Sequence, residues 1–288
     1  MLTKEDKSFL ELYSDSEYDK PSVTTDAVIF RLASNEVGNY RKLPEKKLQV
    51  LLLKRKYPPF VNKYAIPGTF IDLNFELSET MRLCVKKKVG LEKFYFEQLF
   101  TFGEKSRDPR TRVLSTSYML LTTEDEKVTD GEWFDVEIED GEVEVRVVNN
   151  VITQTKTVNL TLKNGKTTLT NKLIITLKKG DEGEVKNVEI KSTNLAFDHA
   201  KIIFYAIERL KNKLEYTDII FNLIPKKFTL TELKLCYEKI LGVKLLDANF
   251  RRKTAKLVEP TKEYEQGKGY RSSRYYTRTS SFDFNNLE

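Results

Sequence analysis

The sequence predicts an α+β fold in two parts, and three observations predict it. Segments rich in Val, Ile and Leu recur between residues 23 and 138, with one stretch of helical spacing among them. Over 142–192 apolar and charged residues alternate almost without interruption, and from Leu195 onward the apolar spacing changes from two to three and four. A mostly antiparallel, mixed sheet with packed helices, followed by a helical unit, is an α+β layout. At 288 residues the chain has room for two cores.

Residues 1–20, polar and charged, predict a short helix and an arm. Residues 23–32 and 48–54 read as strands, the second ended by Tyr57-Pro-Pro. After the Pro67-Gly68 turn, Leu77, Met81 and Cys84/Val85 stand at helical spacing, which predicts a helix over 77–88 with Gly90 as its C-cap. Residues 94–102, 112–122 and 133–138 read as further strands. Val143, Val145 and Val147 alternate with charges, as do Val158, Leu160 and Leu162; Asn164-Gly165 and Lys178-Lys-Gly-Asp mark turns. The expectation is a β-meander over 142–192, inserted at the end of a first domain that spans 1–192. The second domain, 193–288, opens with a long helix whose apolar face is Ile203, Ala206, Ile207, Leu210 and Leu214. Thr229 caps a second helix that reaches Leu241, with Gly242 just past its end. A third helix is expected over 247–257, stopped by Pro260, and the tail over 261–279 reads as a two-stranded wing.

Composition excludes several classes. No run of 18 apolar residues exists, so no membrane span is expected. The start at Met1 lacks the apolar core of a signal peptide, and a cytoplasmic protein is the expectation. Cys84 and Cys236 lie far apart in helix-like segments and read as buried free thiols. His199 is the single histidine, which excludes a His-based triad or His-rich metal site; Asp198-His199 reads as the start of the long helix.

The net charge of +6 becomes informative once located. Lys244 to Arg278 holds ten Lys/Arg against four acidic residues, leaving 39 of each sign in the rest of the chain. All of the excess therefore sits near the C-terminus, as a polyanion-binding face requires.

Helix, Gly-containing turn, basic helix and basic hairpin, in that order, make a winged helix-turn-helix. In the third helix Phe250, Thr254 and Leu257 share one face, while Asn249, Arg252, Lys253 and Lys256 gather opposite, with Arg251 beside them. Asn pairs bidentately with adenine and Arg with guanine, and Lys neutralises phosphate. On the wing Lys268, Arg271, Arg274 and Arg278 interleave with Tyr270, Tyr275 and Tyr276 and are placed to reach the DNA backbone or minor groove. The competing reading is a solvated basic helix beside a basic tail.

Several blocks then occur in a specific order: Tyr64-Ala-Ile-Pro-Gly-Thr-Phe, Gly90-Leu91, Glu97-Gln-Leu-Phe-Thr-Phe-Gly and Arg107-Asp-Pro-Arg-Thr-Arg-Val. The second half adds Leu195-Ala-Phe-Asp-His-Ala, Lys213-Leu-Glu-Tyr-Thr, Phe228-Thr-Leu-Thr-Glu-Leu and Asn249-Phe-Arg-Arg-Lys. Together they closely resemble the NrtR-type, Nudix-related transcriptional regulators, over about 20–140 and 193–280. The resemblance implies a Nudix-like sheet domain that senses a nucleotide-like or phosphorylated effector such as ADP-ribose, a winged helix that binds double-stranded operator DNA, and a homodimer. Positions matching the ligand-facing segments are Arg55, Arg107, Arg110 and Arg112. Residues 107–110 read equally well as a loop held by its own ion pairs.

The Nudix catalytic signature is degenerate here. Anchored on Gly90-Leu91, its first Gly falls on Thr69, its first Glu on Phe75, its Arg-Glu pair on Leu83-Cys84 and its Glu-Glu pair on Lys87-Lys88. Mg²⁺ requires clustered oxygen ligands, and two lysines would repel it. The expectation is therefore no catalytic residue, no metal ligand, no cofactor and no enzyme. Two alternatives stay open. Asp72, Glu76, Glu79 and Glu97 could serve a divergent pyrophosphohydrolase acting on nucleoside diphosphate derivatives. Lys87 and Lys88 could bind a phosphorylated ligand directly, or could simply be an exposed run on a helix C-terminal turn.

Overall fold

The computed structural model describes residues 2–14, 16, 18–35, 45–180, 183–265 and 273–279. After helix α1 (Lys4–Leu12) come strands β1 (Ser22–Asn35), β2 (Glu45–Lys54), β3 (Tyr64–Ala65) and β4 (Gly68–Phe70), then helix α2 (Leu77–Val89). Strands β5 (Tyr95–Phe102), β6 (Val113–Leu121), β7 (Glu132–Val148), β8 (Val151–Lys163), β9 (Thr168–Gly180) and β10 (Gly183–Thr193) follow. The helical part holds α3 (His199–Tyr216), a 3-10 turn (Ile219–Asn222), β11 (Phe228–Thr229), α4 (Leu230–Leu241), α5 (Asp247–Thr254), β12 (Val258–Tyr264) and β13 (Arg274–Arg278).

The main sheet runs β10-β9-β8-β7-β2-β1-β6-β5, with β3 paired to β2 and β4 to β1. Its pairs are antiparallel except β1 with β6, so the sheet is mixed. Period-two alternation sends β1 side chains to both faces. Ala27 and Ile29 pack with Met81, Val85 and Val89 of α2 on one side. Val28 and Phe30 join the cluster that holds Ile203, Ala206, Ile207 and Leu210 of α3 on the other. The result is an αβα sandwich. Helix α2 ends where sequence chemistry ends it: the Gly90 N–H bonds to the Lys86 carbonyl at 3.0 Å with φ +70°. A Cβ at Gly90 would lie 2.6 Å from Thr129.

Two expectations are corrected here. The stretches 133–138 and 142–148 form one strand, because a bulge between Asp140 and Val143 absorbs Gly141 and Glu142 and lets β7 run on. The meander is thus an edge extension of the main sheet; Val158, Leu160, Leu162, Leu173 and Val188 lie in the same core as α3. Pro260 does not stop a helix. Helix α5 ends at Thr254, and Pro260 lies in β12, at the edge of the small sheet β11-β13-β12, where a missing N–H is tolerated.

The winged-helix elements otherwise follow the sequence closely. The Thr229 hydroxyl accepts the Glu232 N–H at 3.1 Å while Glu232 accepts the Thr229 N–H at 2.9 Å, a complete capping box. Leu233, Cys236, Tyr237, Ile240 and Phe250 join the cluster under the sheet, so the core is continuous across both parts. Cys84 and Cys236 are buried free thiols. Among the described residues no helix is long and apolar enough to cross a membrane.

Candidate functional site

A cleft of about 530 Å³ opens beside β1, β4 and the C-terminal turn of α2. Arg55, just past β2, and Arg110, in the loop before β6, line it with Lys87 and Lys88. The Arg55 guanidinium lies 4.8 Å from the Phe197 ring, and that of Arg110 lies 5.9 Å from Phe197 and 5.3 Å from Phe70. Arg55 also donates to the Pro59 carbonyl at 2.8 Å, fixing the 55–63 loop. Arg110 grips Asp108 bidentately at 3.0 and 2.8 Å, yet its side chain keeps 44% of its exposure. The 107–110 loop is thus tied by its own ion pair, and the Arg110 side chain also lines the cleft.

Arg107 behaves differently. Its guanidinium is buried and donates to both Asp198 oxygens at 2.9 and 2.8 Å, with Asp26 at 3.6 Å. Its charge is already satisfied, so it builds the back wall. Arg112 does not line the cleft; it is exposed, and its carbonyl accepts the Ser22 N–H at 3.0 Å.

Sequence reasoning missed Asp26, Gly68, Phe70 and Phe197. Asp26 is buried, accepts the Ser115 hydroxyl at 2.5 Å, and burial raises its pKa above the ordinary value. Only Gly fits at 68, because a Cβ there would sit 1.9 Å from an Asp26 oxygen. That glycine leaves its carbonyl to the Lys88 ammonium, which donates to it. His199 completes the wall. Its Nδ1 accepts the Ile66 N–H at 3.1 Å, and burial pushes its pKa down to about 3, so the ring is neutral.

The four acids of the divergent-hydrolase alternative do not converge. Glu97 binds Arg209 at 3.1 Å and also Lys213, both on α3, across the sheet from α2. Asp72 accepts the Asn74 N–H at 3.0 Å, and Glu76 and Glu79 are exposed at the start of α2.

The second surface is α5 and the wing. Phe250 and Thr254 are buried, and Asn249, Arg251, Arg252 and Lys253 are exposed. Arg252 donates to the Asn249 side-chain oxygen at 3.4 Å, and Lys253 lies 5.5 Å from the Tyr237 ring. Lys256 is exposed in the turn after the helix. Arg274 is exposed and donates to the Thr261 carbonyl at 2.6 Å, whereas Arg278 is paired with Asp218. Lys268, Tyr270 and Arg271 lie outside the described residues.

Residues 220–277 match the family described as the NrtR DNA-binding winged helix domain. The chain is 27% identical over 286 residues to the ADPR responsive transcriptional repressor NtrR of Acinetobacter baylyi, covering 97% of this chain and 91% of that one. The crystal structure of a MutT/nudix family protein from Enterococcus faecalis superposes with a TM-score of 0.65 at 26% identity, covering 97% of this chain and 94% of the other. Shewanella oneidensis NrtR complexed with a 27mer DNA shares the fold, with a TM-score of 0.60 at 24% identity over 89% of this chain and 93% of that one.

Fold and site therefore define a Nudix-type sandwich joined to a winged helix, with lysines at the paired-glutamate positions of the Nudix signature. Residues 220–277 are an NrtR-type winged helix domain, and over nearly its whole length the chain is similar to an ADPR responsive transcriptional repressor.

Proposed function

We propose that the chain is a cytoplasmic, homodimeric, DNA-binding transcriptional repressor whose Nudix-type cleft takes ADP-ribose without hydrolysing it. In this reading residues 1–192 form the effector domain and 193–288 the DNA-binding domain. Asn249, Arg251, Arg252, Lys253, Lys256 and Arg274, with Lys268 and Arg271, meet DNA; Arg55 and Arg110 meet the diphosphate. The similarity to the ADPR responsive repressor supports both ligands.

One observation carries the reading: helix α3 reaches from the cleft wall to the DNA-facing unit, whose α4 also packs on β2. The N-terminus of α3 is the cleft's back wall, through Asp198 and His199. Its other end leads to Asp218, which pairs with Arg278 of the wing. A ligand that pulls on the cleft pulls on α3.

The test is fluorescence anisotropy on a labelled duplex from the DNA upstream of the coding region, across salt, with and without ADP-ribose. Expected are tighter binding than to a scrambled duplex, a steep loss of affinity with salt, and a displaced midpoint when ADP-ribose is added. Equal affinity for every duplex would argue against specific readout. Incubation of ADP-ribose with the protein and Mg²⁺ or Mn²⁺ is expected to leave it intact, and cleavage of its diphosphate would favour the hydrolase alternative.

A further inference from the structure

A Nudix fold implies a divalent ion, and the residues of this cleft do not fit one. A hard cation needs several free oxygen ligands. Among the described residues no group of three His, Cys, Asp or Glu side chains could hold a metal. The nearest candidate ligands are already taken. The Gly68 carbonyl accepts the Lys88 ammonium, and the Asp26 carboxyl accepts the Ser115 hydroxyl and faces the Arg107 guanidinium at 3.6 Å.

We propose that the cleft grips a diphosphate free of any divalent cation, the Lys88 ammonium on the Gly68 carbonyl acting as a built-in cation and Lys87, Arg55 and Arg110 completing the anion-facing wall. The proposal rests on the reading that the cleft takes ADP-ribose, and it adds how the charge is met.

The chemistry is consistent at each residue. Lys87 and Lys88 stand where the signature would put its paired glutamates, on the last turn of α2, and both line the cleft. The negative end of the helix dipole favours cations there, so the exchange of charge is tolerated by the fold. Lys87 has no ion-pair partner among the described residues, which leaves its ammonium for a ligand. Lys88 and Arg107 also lie close enough to Asp26 to offset part of the rise that burial imposes on its carboxyl. Arg110 brings a planar fork suited to phosphate oxygens.

Calorimetry on the full chain tests this with two probes, ADP-ribose and inorganic pyrophosphate. Wild-type affinity for ADP-ribose is expected to agree within about twofold in EDTA and in excess Mg²⁺, since no ion bridges ligand and protein. Lys87→Ala and Lys88→Met are each expected to weaken binding in EDTA by about tenfold or more, as loss of a charge-assisted bond does. Lys87→Arg retains the charge and is expected to retain binding. Lys88→Glu reverses the charge and is expected to abolish binding in EDTA. A wild-type requirement for Mg²⁺, or unchanged affinity in Lys87→Ala and Lys88→Met, would overturn the proposal while leaving the ADP-ribose reading intact. Pyrophosphate binding in EDTA that is lost in Lys87→Ala, with no ADP-ribose binding, would uphold the anion site and remove the effector. Failure of both probes on wild-type protein would remove both.

Discussion

Arg107 and Arg110 stand three positions apart in one loop and do opposite things. Arg107 is spent on Asp198, a partner 91 residues away, and no local pattern announces such a pair. Arg110 faces its neighbour Asp108 and the open cleft. Arg107→Met should therefore cost about 3–5 kcal/mol in urea denaturation, because it leaves a buried carboxylate uncompensated. Arg110→Ala should cost less stability than Arg107→Met, because buried Asp108 keeps the bond from the Arg110 backbone N–H, and should weaken ADP-ribose binding by about tenfold in calorimetry. If the two effects were exchanged, the assignment of wall and clamp would be wrong. His199 adds a pH signature. Its unfolded value of 6.5 falls to about 3 in the folded chain, so the unfolded chain takes the proton first. The contribution is fully present above 6.5 and is lost as pH falls toward 3. His199→Gln keeps an acceptor for the Ile66 N–H and removes the titration. The stability advantage of wild type over this variant should shrink between about pH 7 and about pH 4 in paired denaturation curves.

Elements were far more legible than side-chain partners, because helices and strands write their period and their punctuation locally. The α2 helix with its Gly90 cap, and α4 with its Thr229–Glu232 box and Gly242, stand within a residue of where caps and spacing put them. What the chain hides is register. Nothing in 133–148 announces that a bulge at Gly141 makes one strand of two, and Pro260 reads as a stop until β12 is seen to be an edge. The same limit applies to the cleft. Its basic side chains were visible, but Asp26, Phe70 and Phe197 come from three distant segments that only the fold brings together. At this scale α5 is the element to test. Arg252→Ala should cost about 1–3 kcal/mol and relax base preference in a panel of single-base operator variants. Uniform weakening across the panel would place Arg252 on phosphate instead.

The sheet part and the helical part share one apolar core on the α3 face, beside a smaller cluster under α2. The meander that looks like an insertion supplies Val158, Leu160, Leu162, Leu173 and Val188 to the layer under α3. Removing 142–192 should therefore abolish cooperative thermal unfolding, not merely delete a surface. A truncated chain that melts cooperatively and still binds DNA would show that those strands are dispensable.

Helix α3 has 18 residues and so runs about 27 Å from the cleft wall toward the wing. A rod fixed at both ends cannot report in one direction only. If ADP-ribose alters the hold on an operator by some ratio, as proposed, that operator alters the hold on ADP-ribose by the same ratio. Bound promoters would then make the protein a different sensor from the one free in solution, with its threshold set by how many sites a genome offers it.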